Sequence, residues 1–308
     1  MLKQVGNIKF DTSKEHIIGT GSKGTIVYRG SLENGRKVAV KKVFTALCSA
    51  KEINLLTELK HPHIIPCWES AERDEFTYLA LELCKGTLAQ CVKNDLFKNE
   101  LLLNELDCLE QIAEGVAYLH EQRVCHRDIK PENILVTFEG DSSNIRFVLA
   151  DFSIARKVKD HSFSTSKSIA GTDGWIAQEH YQPGQTPSVK VDIFSCGCVF
   201  FYIITKGCHP FGNITHLKTC QSKINTKQPA MHLFNLNEAF SQLGDLVYAM
   251  VDADPKKRPR AKSVCNKLKV ISSDCLSLFS IYTVLNVFIT NRYPLLIRCS
   301  QKWCIPKS

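Results

Sequence analysis

Apolar and polar positions alternate along the first part of the chain, which predicts β-strands. Two runs rich in β-branched residues, "GTIVYRG" and "KVAVKKV", are separated by a stretch that contains Asn34-Gly35. An Asn-Gly pair between such runs is typical of a tight hairpin turn. A third run, "FTYLALELC", has the same character. We therefore expect a strand-rich lobe over residues 1–84.

Helical spacing interrupts these strands once and dominates after them. "SAKEINLLTEL" has Ile53 and several leucines at helical intervals, and His61-Pro62 should end that helix. The signal from residue 85 to 268 is mostly helical, which predicts a second, larger lobe and an α+β fold class. A long amphipathic helix in that lobe is indicated by apolar residues three and four apart: Leu102, Leu106, Leu109, Ala113, Val116 and Leu119.

Two apolar stretches resemble membrane spans but are too short for that role. "VDIFSCGCVFFYIIT" (191–205) begins at Asp192 and is typical of a helix that is buried on all sides. "CLSLFSIYTVLNVFI" (275–289) contains Asn286 and predicts a buried or interfacial segment. It lies in a divergent tail, residues 269–308.

The net charge of +8 is concentrated near the end of the chain. Residues 256–308 contain eleven Lys or Arg and one acid, whereas the first 255 residues carry 28 basic and 30 acidic residues. A basic tail can attract nucleic acid or anionic lipid. We expect a solvated end and no specific nucleic-acid partner, and leave contact of the tail with a membrane open.

The cysteines and the N-terminal residues indicate in which cellular compartment the protein is located. The fourteen cysteines do not form paired CxxC motifs and most lie in apolar runs, which favours buried free thiols in a reducing compartment. "MLKQVGNIKF" has no apolar core, so we expect no signal peptide. The expected location is cytoplasmic.

Gly19, Gly21 and Gly24 form a G-x-G-x-x-G pattern. Glycines let backbone amides approach a phosphate closely, but the pattern also occurs in dinucleotide-binding domains. A dinucleotide site needs a helix directly after the glycines. Here the strand "TIVYRG" follows, so the pattern predicts a flap between two strands and argues against a dinucleotide-dependent oxidoreductase.

Lys41 ends the apolar strand "VAVK". Its plain interpretation is a lysine whose aliphatic stem lies along the strand end. Its functional interpretation is a cation that contacts nucleotide phosphates and pairs with Glu52 on the next helix. The flanking motifs favour the second interpretation.

"HRDIKPENIL" is the most specific motif, and it brings Asp128, Lys130 and Asn133 within six residues of one another. Asp128 can accept a hydroxyl proton, Lys130 can neutralise charge on a transferred phosphate, and Asn133 can offer a neutral oxygen to Mg²⁺. Farther along, an apolar strand ends in Asp151, Phe152 and Ser153.

Taken in order, "GTGSKGTIVYRG", "VAVK", "HRDIKPENIL" and "DF" resemble a eukaryotic protein kinase over residues 10–268. The strings "GTIVYRG", "ELCKGTL", "GTDGWIAQE", "VDIFSCGCVFFY" and "HPFG" resemble the inositol-requiring kinase/endoribonuclease family, the endoplasmic reticulum stress sensors. The nearest alternatives are the ribonuclease L-like kinases and the initiation-factor-2 kinases. The resemblance implies a bilobal kinase fold and a location in the cytoplasm or on the cytosolic face of the endoplasmic reticulum.

The resemblance also implies a role for each motif residue, with ATP and Mg²⁺ as cofactors. Asp128 is implied as the catalytic base with Lys130 beside it, and Asn133 and Asp151 as Mg²⁺ ligands. Lys41 and Glu52 are implied to pair and to position the α- and β-phosphates. The implied nucleotide-binding residues are Ile18, Gly19, Thr20, Gly21, Ser22, Lys23, Gly24, Thr25, Ile26, Lys41, Glu82, Leu83, Cys84, Lys130, Asn133 and Asp151.

Structural roles follow from the same resemblance. Leu81 is implied at the back of the adenine pocket, and Asp192 as a brace for the "HRD" loop. Glu179 is implied to pair with Arg258 and so to hold the segment after the activation loop. Hydroxyls between Asp151 and Glu179 are candidate sites of autophosphorylation in trans, within a possible homodimer: Ser162, Ser164, Thr165, Ser166 and Ser168.

Three features depart from the family pattern. Ser153 replaces a glycine, which should narrow the backbone range of the loop without removing a metal ligand. Gln178 replaces a proline. Residues 269–308 do not resemble the family's RNase domain and are too few to form it, so we expect no ribonuclease activity.

Two functions are consistent with the sequence. One is an active Ser/Thr protein kinase that acts on protein hydroxyls, favoured by the retained Lys41, Asp128, Asn133 and Asp151. The other is a nucleotide-binding scaffold that dimerises without efficient catalysis, favoured by the departures from the family pattern.

Overall fold

The computed structural model describes residues 1–21, 24–46, 50–93, 105–138, 145–158, 171–181, 188–226 and 241–274. Within these ranges the chain forms a smaller lobe dominated by one β-sheet and a larger lobe dominated by helices. The predicted α+β class with two lobes is confirmed.

The sheet of the smaller lobe contains seven strands among the described residues, and the order along it is β1-β2-β4-β5-β7-β6, with β3 paired to β4. All of the pairings are antiparallel. The strands are β1 Leu2–Val5, β2 Ile8–Asp11, β3 Ile17–Thr20, β4 Ile26–Leu32, β5 Lys37–Phe44, β6 Cys67–Arg73 and β7 Phe76–Glu82.

The predicted hairpin turn joins β4 and β5. Gly35 has φ of +83°, a left-handed conformation that glycine adopts without strain. The side chain of Asn34 accepts a hydrogen bond from the backbone N–H of Arg36 at 3.0 Å. The turn therefore fixes the register that pairs Val27 with Lys41.

Alternation along β5 sends its side chains to two different cores. Val38 and Val40 belong to a cluster enclosed by the sheet, together with Phe10 and Tyr28. Val43 belongs instead to the main core. Lys41 lies on the same side as Val43, since successive strand residues point to opposite faces. This alternation directs Lys41 toward the cleft between the lobes.

The larger lobe is built around a helix that is buried along nearly its whole length. The helices of the chain are α1 Ala50–Glu58 in the smaller lobe, followed by α2 Leu88–Lys93, α3 Glu105–Glu121, α4 Lys190–Ile204, α5 Leu217–Asn225, α6 Ser241–Met250 and α7 over residues 261–274. Every residue of α4 from Val191 to Ile203 is buried, as its uniformly apolar sequence predicts. No helix of the described residues is long and apolar enough to cross a membrane.

Short strands shape the cleft face of the larger lobe. They are β8 Gly86–Thr87, β9 Val124–Cys125, β10 Ile134–Phe138, β11 Ile145–Leu149 and β12 Arg156–Lys157. β10 and β11 form an antiparallel hairpin, and β12 pairs with β9. The "HRD" loop follows β9, and Asp151 follows β11, so these short pairings bring the two motifs to one place.

Candidate active site

The loop after β9 places three polar side chains around one carboxylate. Asp128 Oδ2 accepts hydrogen bonds from Lys130 Nζ and from Asn133 Nδ2, each at 2.8 Å. Thr172, from a distant part of the chain, donates its hydroxyl to Asp128 Oδ1 at 2.7 Å, and Lys130 Nζ donates to Thr172 Oγ1 at 2.6 Å. These bonds fix the direction of a carboxylate whose side chain is only 11% exposed.

Asp192, in the first turn of α4, is hydrogen-bonded to the backbone of the loop that carries Asp128. Its carboxylate accepts the backbone N–H groups of His126 and Arg127, both at 2.8 Å, and lies 3.0 Å from Nε2 of His120. Burial alone raises the pKa of Asp192, but the hydrogen bond from His120 and the bonds from the loop outweigh it, and the pKa lies below its usual value. Asp192 is therefore the brace that the sequence predicts.

Asp151 lies across the cleft from the smaller lobe and pairs with Lys41, whose Nζ is 2.9 Å from Asp151 Oδ1. Its backbone is in the left-handed region, with φ of +63°. Burial raises the pKa of Asp151, but the Lys41 ammonium and a hydrogen bond from Ser153 outweigh burial and lower that pKa to about 2. The carboxylate is thus held ionised, and its side chain is 40% exposed.

The Asp151 segment is tied directly to the Asp128 loop. His126 Nε2 lies 3.0 Å from the carbonyl oxygen of Ala150, and the rings of His126 and Phe152 are 4.8 Å apart. Both rings are almost fully buried. The two motifs therefore share one small core and cannot move independently without disrupting it.

The glycine flap lies between the paired strands β3 and β4, as the sequence predicts. The backbone N–H of Gly21 donates to the carbonyl oxygen of Thr25 at 2.9 Å. Gly24 has φ of +77°, and an added Cβ there would lie 3.3 Å from the ring of Phe44. Glycine at that position allows both the turn and the close contact with β5. Ser22 and Lys23 lie outside the described residues.

The segment between the lobes begins where β7 ends at Glu82. Leu81 and Cys84 are partly buried and pack against the main core, and Leu81 is the register partner of Ala39 on β5. The backbone N–H of Lys85 donates to the carbonyl oxygen of Val136 on β10 at 2.8 Å. The segment is therefore attached to the sheet on one side and to the β10–β11 hairpin on the other.

The family model described as protein kinase domain matches residues 12–268. The chain belongs to the protein kinase family. The match covers the flap, Lys41, the Asp128 loop and Asp151, which are the elements that the structure brings to the cleft.

Three relatives of this kinase are named as serine/threonine-protein kinases. The chain is 37% identical over 261 residues to the serine/threonine-protein kinase/endoribonuclease ire-1 of Caenorhabditis elegans, which covers 82% of this chain and 26% of the relative. It is 38% identical over 271 residues to the serine/threonine-protein kinase/endoribonuclease IRE2 of Homo sapiens, covering 85% of this chain and 28% of the relative. The probable serine/threonine-protein kinase irlA of Dictyostelium discoideum is 31% identical over 291 residues, covering 85% of this chain and 20% of the relative.

The kinase chain therefore spans about a quarter of the length of these two kinase/endoribonuclease relatives. The likeness is one of kinase domains. It supports the predicted resemblance to the kinase/endoribonucleases. The activities of the longer proteins are not transferred to this chain by that likeness.

The side chains that could hold Mg²⁺ in this kinase are suitable oxygen donors. Asn133 Nδ2 donates to the backbone oxygen of Asp128 at 2.9 Å as well as to its carboxylate, which leaves the amide oxygen as an acceptor. Asp151 adds a partly exposed carboxylate. The described residues hold no group of three or more His, Cys, Asp and Glu side chains that could bind a metal. Two protein ligands suffice for Mg²⁺, which usually retains water and binds phosphate oxygens as well.

Two departures from the kinase pattern are accommodated locally. Ser153 bonds to Asp151, as described above. Gln178 is 5% exposed, begins a short 3-10 helix, and donates its Nε2 to the carbonyl oxygen of Ala253 at 2.5 Å. Its Oε1 has no hydrogen-bond partner in the described part of the chain.

Glu179, the residue after Gln178, forms the buried ion pair with Arg258 that the sequence predicts. Arg258 NH1 and NH2 donate to the two carboxylate oxygens of Glu179 at 2.6 and 2.9 Å, and Arg258 Nε donates to the carbonyl oxygen of Asp252 at 2.7 Å. The pair fixes the segment after the activation loop against the end of α6.

Sequence reasoning did not assign Thr172 or Arg146. Thr172 lies in the quoted string "GTDGWIAQE", so its motif was visible and only its contact with Asp128 was not. Arg146 gives no sequence signal beyond a charge on an otherwise apolar strand. Other predicted sites cannot be placed: the Glu52 side chain, the hydroxyls at Ser162, Ser164, Thr165, Ser166 and Ser168, and the segment 275–308 lie outside the described part of the structure.

Proposed function

We propose that this kinase domain transfers the γ-phosphate of ATP to serine and threonine hydroxyls of proteins, including its own. The observation that carries the proposal is the cluster in which Asp128 is oriented by Lys130, Asn133 and Thr172. A vestigial site would have no need for a carboxylate fixed by three donors and backed by a fully buried Asp192.

Each step of the transfer has a residue that can perform it. The substrate hydroxyl gives its proton to the Asp128 carboxylate as its oxygen forms a bond to the γ-phosphorus. The bond between that phosphorus and the bridging oxygen breaks, and ADP leaves. Lys130 supplies positive charge beside the transferred phosphoryl group, in the position where negative charge has to be stabilised.

The residues that would hold Mg²⁺ are Asn133 and Asp151. When bound there, the ion would neutralise negative charge on the phosphates. Asp151 is prepared for this role because Lys41 and Ser153 keep its carboxylate ionised. Lys41 would contact the α- and β-phosphates from the smaller lobe.

The nucleotide itself would lie under the flap. Ile18 and Ile26 would cover the adenine, and the backbones of Glu82 and Cys84 would meet its edge. The support for this placement is that β5, which carries Lys41, pairs with β4 after the flap and with β7 before the segment 82–84, and that Lys41 pairs with Asp151 of the larger lobe. The remaining flap residues, Gly19 to Thr25, would cover the phosphates.

The second candidate is a nucleotide-binding scaffold without efficient catalysis. Ser153 and Gln178 are the observations that favour it. Both substitutions are accommodated by hydrogen bonds and remove no group from the Asp128 cluster, so we favour the active kinase.

The test is peptide-dependent formation of ADP by the purified chain with Mg²⁺ and ATP. Peptides that contain serine or threonine should stimulate turnover, and matched peptides with tyrosine as the acceptor should not. Asp128→Asn should lower the rate at least about a hundredfold, since a general base contributes about 10² or more. Equal turnover by wild type and Asp128→Asn would exclude this mechanism, and binding of ATP without turnover would favour the scaffold.

Three further expectations belong to this proposal. Autophosphorylation in trans would modify Ser162, Ser164, Thr165, Ser166 or Ser168 within a homodimer. The domain would act in the cytoplasm or on the cytosolic face of the endoplasmic reticulum, where ATP and protein substrates are present. The absence of ribonuclease activity stays a prediction.

A further inference from the structure

One arginine joins three separate parts of the molecule. Arg146 lies on β11, and its NH2 donates to Glu82 Oε1 at 2.5 Å. Its NH1 donates to the carbonyl oxygen of Pro62 at 2.6 Å, in the segment between α1 and β6. Thr137, the register partner of Arg146 on β10, points its hydroxyl at the same Glu82 oxygen, 3.4 Å away.

This contact is not an ordinary surface ion pair. The side chains of Arg146 and Glu82 are only 17% and 19% exposed. Charge-assisted hydrogen bonds are shorter and stronger than neutral ones, and shielding from water strengthens them, whereas exposed ion pairs contribute little. The planar guanidinium can hold two partners in fixed directions, which a lysine cannot do.

The position of Glu82 gives the contact a consequence for the cleft. Glu82 is the last residue of β7, and its backbone N–H donates to the carbonyl oxygen of Pro66 at 3.2 Å. Lys85, three residues later, is bonded to Val136 on β10. The short segment 83–84 therefore lies between two residues that are bonded to the β10–β11 hairpin. Glu82 is bonded to Arg146 on β11, and Lys85 is bonded to Val136 on β10.

We propose that Arg146 is a positioning residue that holds the segment 82–84 at the spacing needed to receive the adenine edge. This inference rests on the proposed function, which places adenine against that segment. Arg146 touches no reacting atom and acts through Glu82. The same strand, β11, ends two residues before Asp151. One hairpin therefore positions both the segment proposed to bind adenine and the carboxylate proposed to bind the metal.

A purely stabilising ion pair predicts a different outcome from a positioning one, and two variants separate them. Arg146→Met leaves the Glu82 carboxylate shielded and unpaired, which should lower both stability and nucleotide affinity. The double variant Glu82→Leu with Arg146→Met replaces the pair by apolar groups, a change that often restores stability. If Arg146 acts by positioning, nucleotide affinity should stay low in the double variant although its melting temperature recovers.

The measurements are the Kd for ADP by fluorescence titration well below the melting temperature, the melting temperature without nucleotide, and the KM for ATP alongside kcat. We expect Arg146→Met to raise the Kd about tenfold, equivalent to about 1.4 kcal/mol. KM should rise by a similar factor while kcat at saturating ATP changes little. Arg146→Lys, which keeps the charge but not the two-partner geometry, should recover only part of the affinity. The control is Lys269→Met, which removes an exposed pair with Glu114 at 3.0 Å and should leave the Kd unchanged.

The possible failures can be told apart. An unchanged Kd in Arg146→Met, or a Kd that recovers together with the melting temperature in the double variant, would overturn the positioning role while leaving the proposed function intact. A wild-type chain that does not bind ADP at all would overturn the proposed function and this role with it.

Discussion

At the scale of single residues, Thr172 and Ser153 decide how well the two acidic groups of the cleft are oriented. Thr172 donates to Asp128 and accepts from Lys130, so its hydroxyl closes a ring of hydrogen bonds around the carboxylate. Ser153 bonds to Asp151 in a position where the family has glycine. Neither residue needs to touch the substrate to affect the reaction.

Thr172→Val should lower kcat about tenfold to a hundredfold, because valine has the same shape but cannot hold Asp128 in one direction. That loss stays within the contribution of about 10²–10⁴ that a positioned general base makes. The KM for ATP should change little, since the Thr172 hydroxyl bonds to Asp128, the proposed base, and to Lys130. Steady-state kinetics with a peptide substrate checks this, with Thr226→Val at the exposed end of α5 as the control. A kcat within twofold of wild type would refute the role.

Ser153→Gly restores the residue that the family has at this position and should not increase activity. Glycine frees the backbone for the alternative states of the loop, but it also removes the hydrogen bond that orients Asp151. Because bonds to charged groups contribute about 1.5–3 kcal/mol and about 1.4 kcal/mol is a factor of ten, we expect kcat/KM to fall about tenfold or more in both Ser153→Gly and Ser153→Ala. A large gain in Ser153→Gly alone would mean that serine blocks the active loop state.

At the scale of elements, the long helices and the main hairpin could be predicted from the sequence and the short strands could not. α3 follows from apolar spacing within one segment, α4 from a uniformly apolar run, and the β4–β5 turn from Asn34-Gly35. β8, β9 and β12 are two residues long and exist only through partners far along the chain. Sequence periodicity carries no information about such pairings.

The same distinction applies to the site. Asp128, Lys130 and Asn133 are neighbours in sequence, so their meeting is a local property. Thr172 reaches Asp128 from 44 residues away, and Arg146 reaches Glu82 from 64 residues away. Those contacts depend on how the lobes and the hairpin pack, which no local pattern reveals.

The 3-10 helix Gln178–His180 permits an element-scale test. Gln178 is its first residue, where proline is favoured, and Ala177 has an extended backbone with ψ of 143°, which a following proline requires. Gln178→Pro would lose one bond to Ala253 but would also remove the unpartnered Oε1.

We therefore expect Gln178→Pro to leave the melting temperature unchanged or raise it by about 1–3 °C, in line with proline substitutions at compatible sites. Gln178→Ala, which removes the same groups without fixing the backbone, is the matched control and should be less stable than the proline variant. Differential scanning calorimetry measures both. A fall of several degrees in Gln178→Pro would show that the bond to Ala253 outweighs the buried oxygen.

At the scale of the whole molecule, stability should fall in mild acid because the larger lobe buries a neutral histidine. His209 is fully buried, accepts the backbone N–H of Phe211 at its Nδ1, and lies with its ring 4.9 Å from that of Trp175. Burial lowers the pKa of His209 from 6.5 to about 4. The folded state therefore resists a proton that the unfolded state accepts below pH 6.5.

The sign of the effect follows from linkage: the stability is fully present above pH 6.5 and is lost as the pH falls toward 4. At pH 5 the loss due to His209 should be about 2 kcal/mol of the free energy of unfolding. His209→Asn keeps an acceptor for Phe211 but cannot be protonated, so its stability should depend less on pH. Urea unfolding at pH 7.5 and 5.0 compares the two chains. Identical losses would mean that other groups cause the acid sensitivity.

Incorporation of labelled γ-phosphate into the purified chain, with Mg²⁺ and ATP and beside an Asp128→Asn control, is the measurement that tests the central claim most directly. The proposed function predicts label on serine or threonine in the wild-type chain and its loss in the control, because Asp128 is the proposed catalytic base. No label in the wild-type chain, although ATP binds and raises its melting temperature, would contradict the claim and leave a nucleotide-binding scaffold.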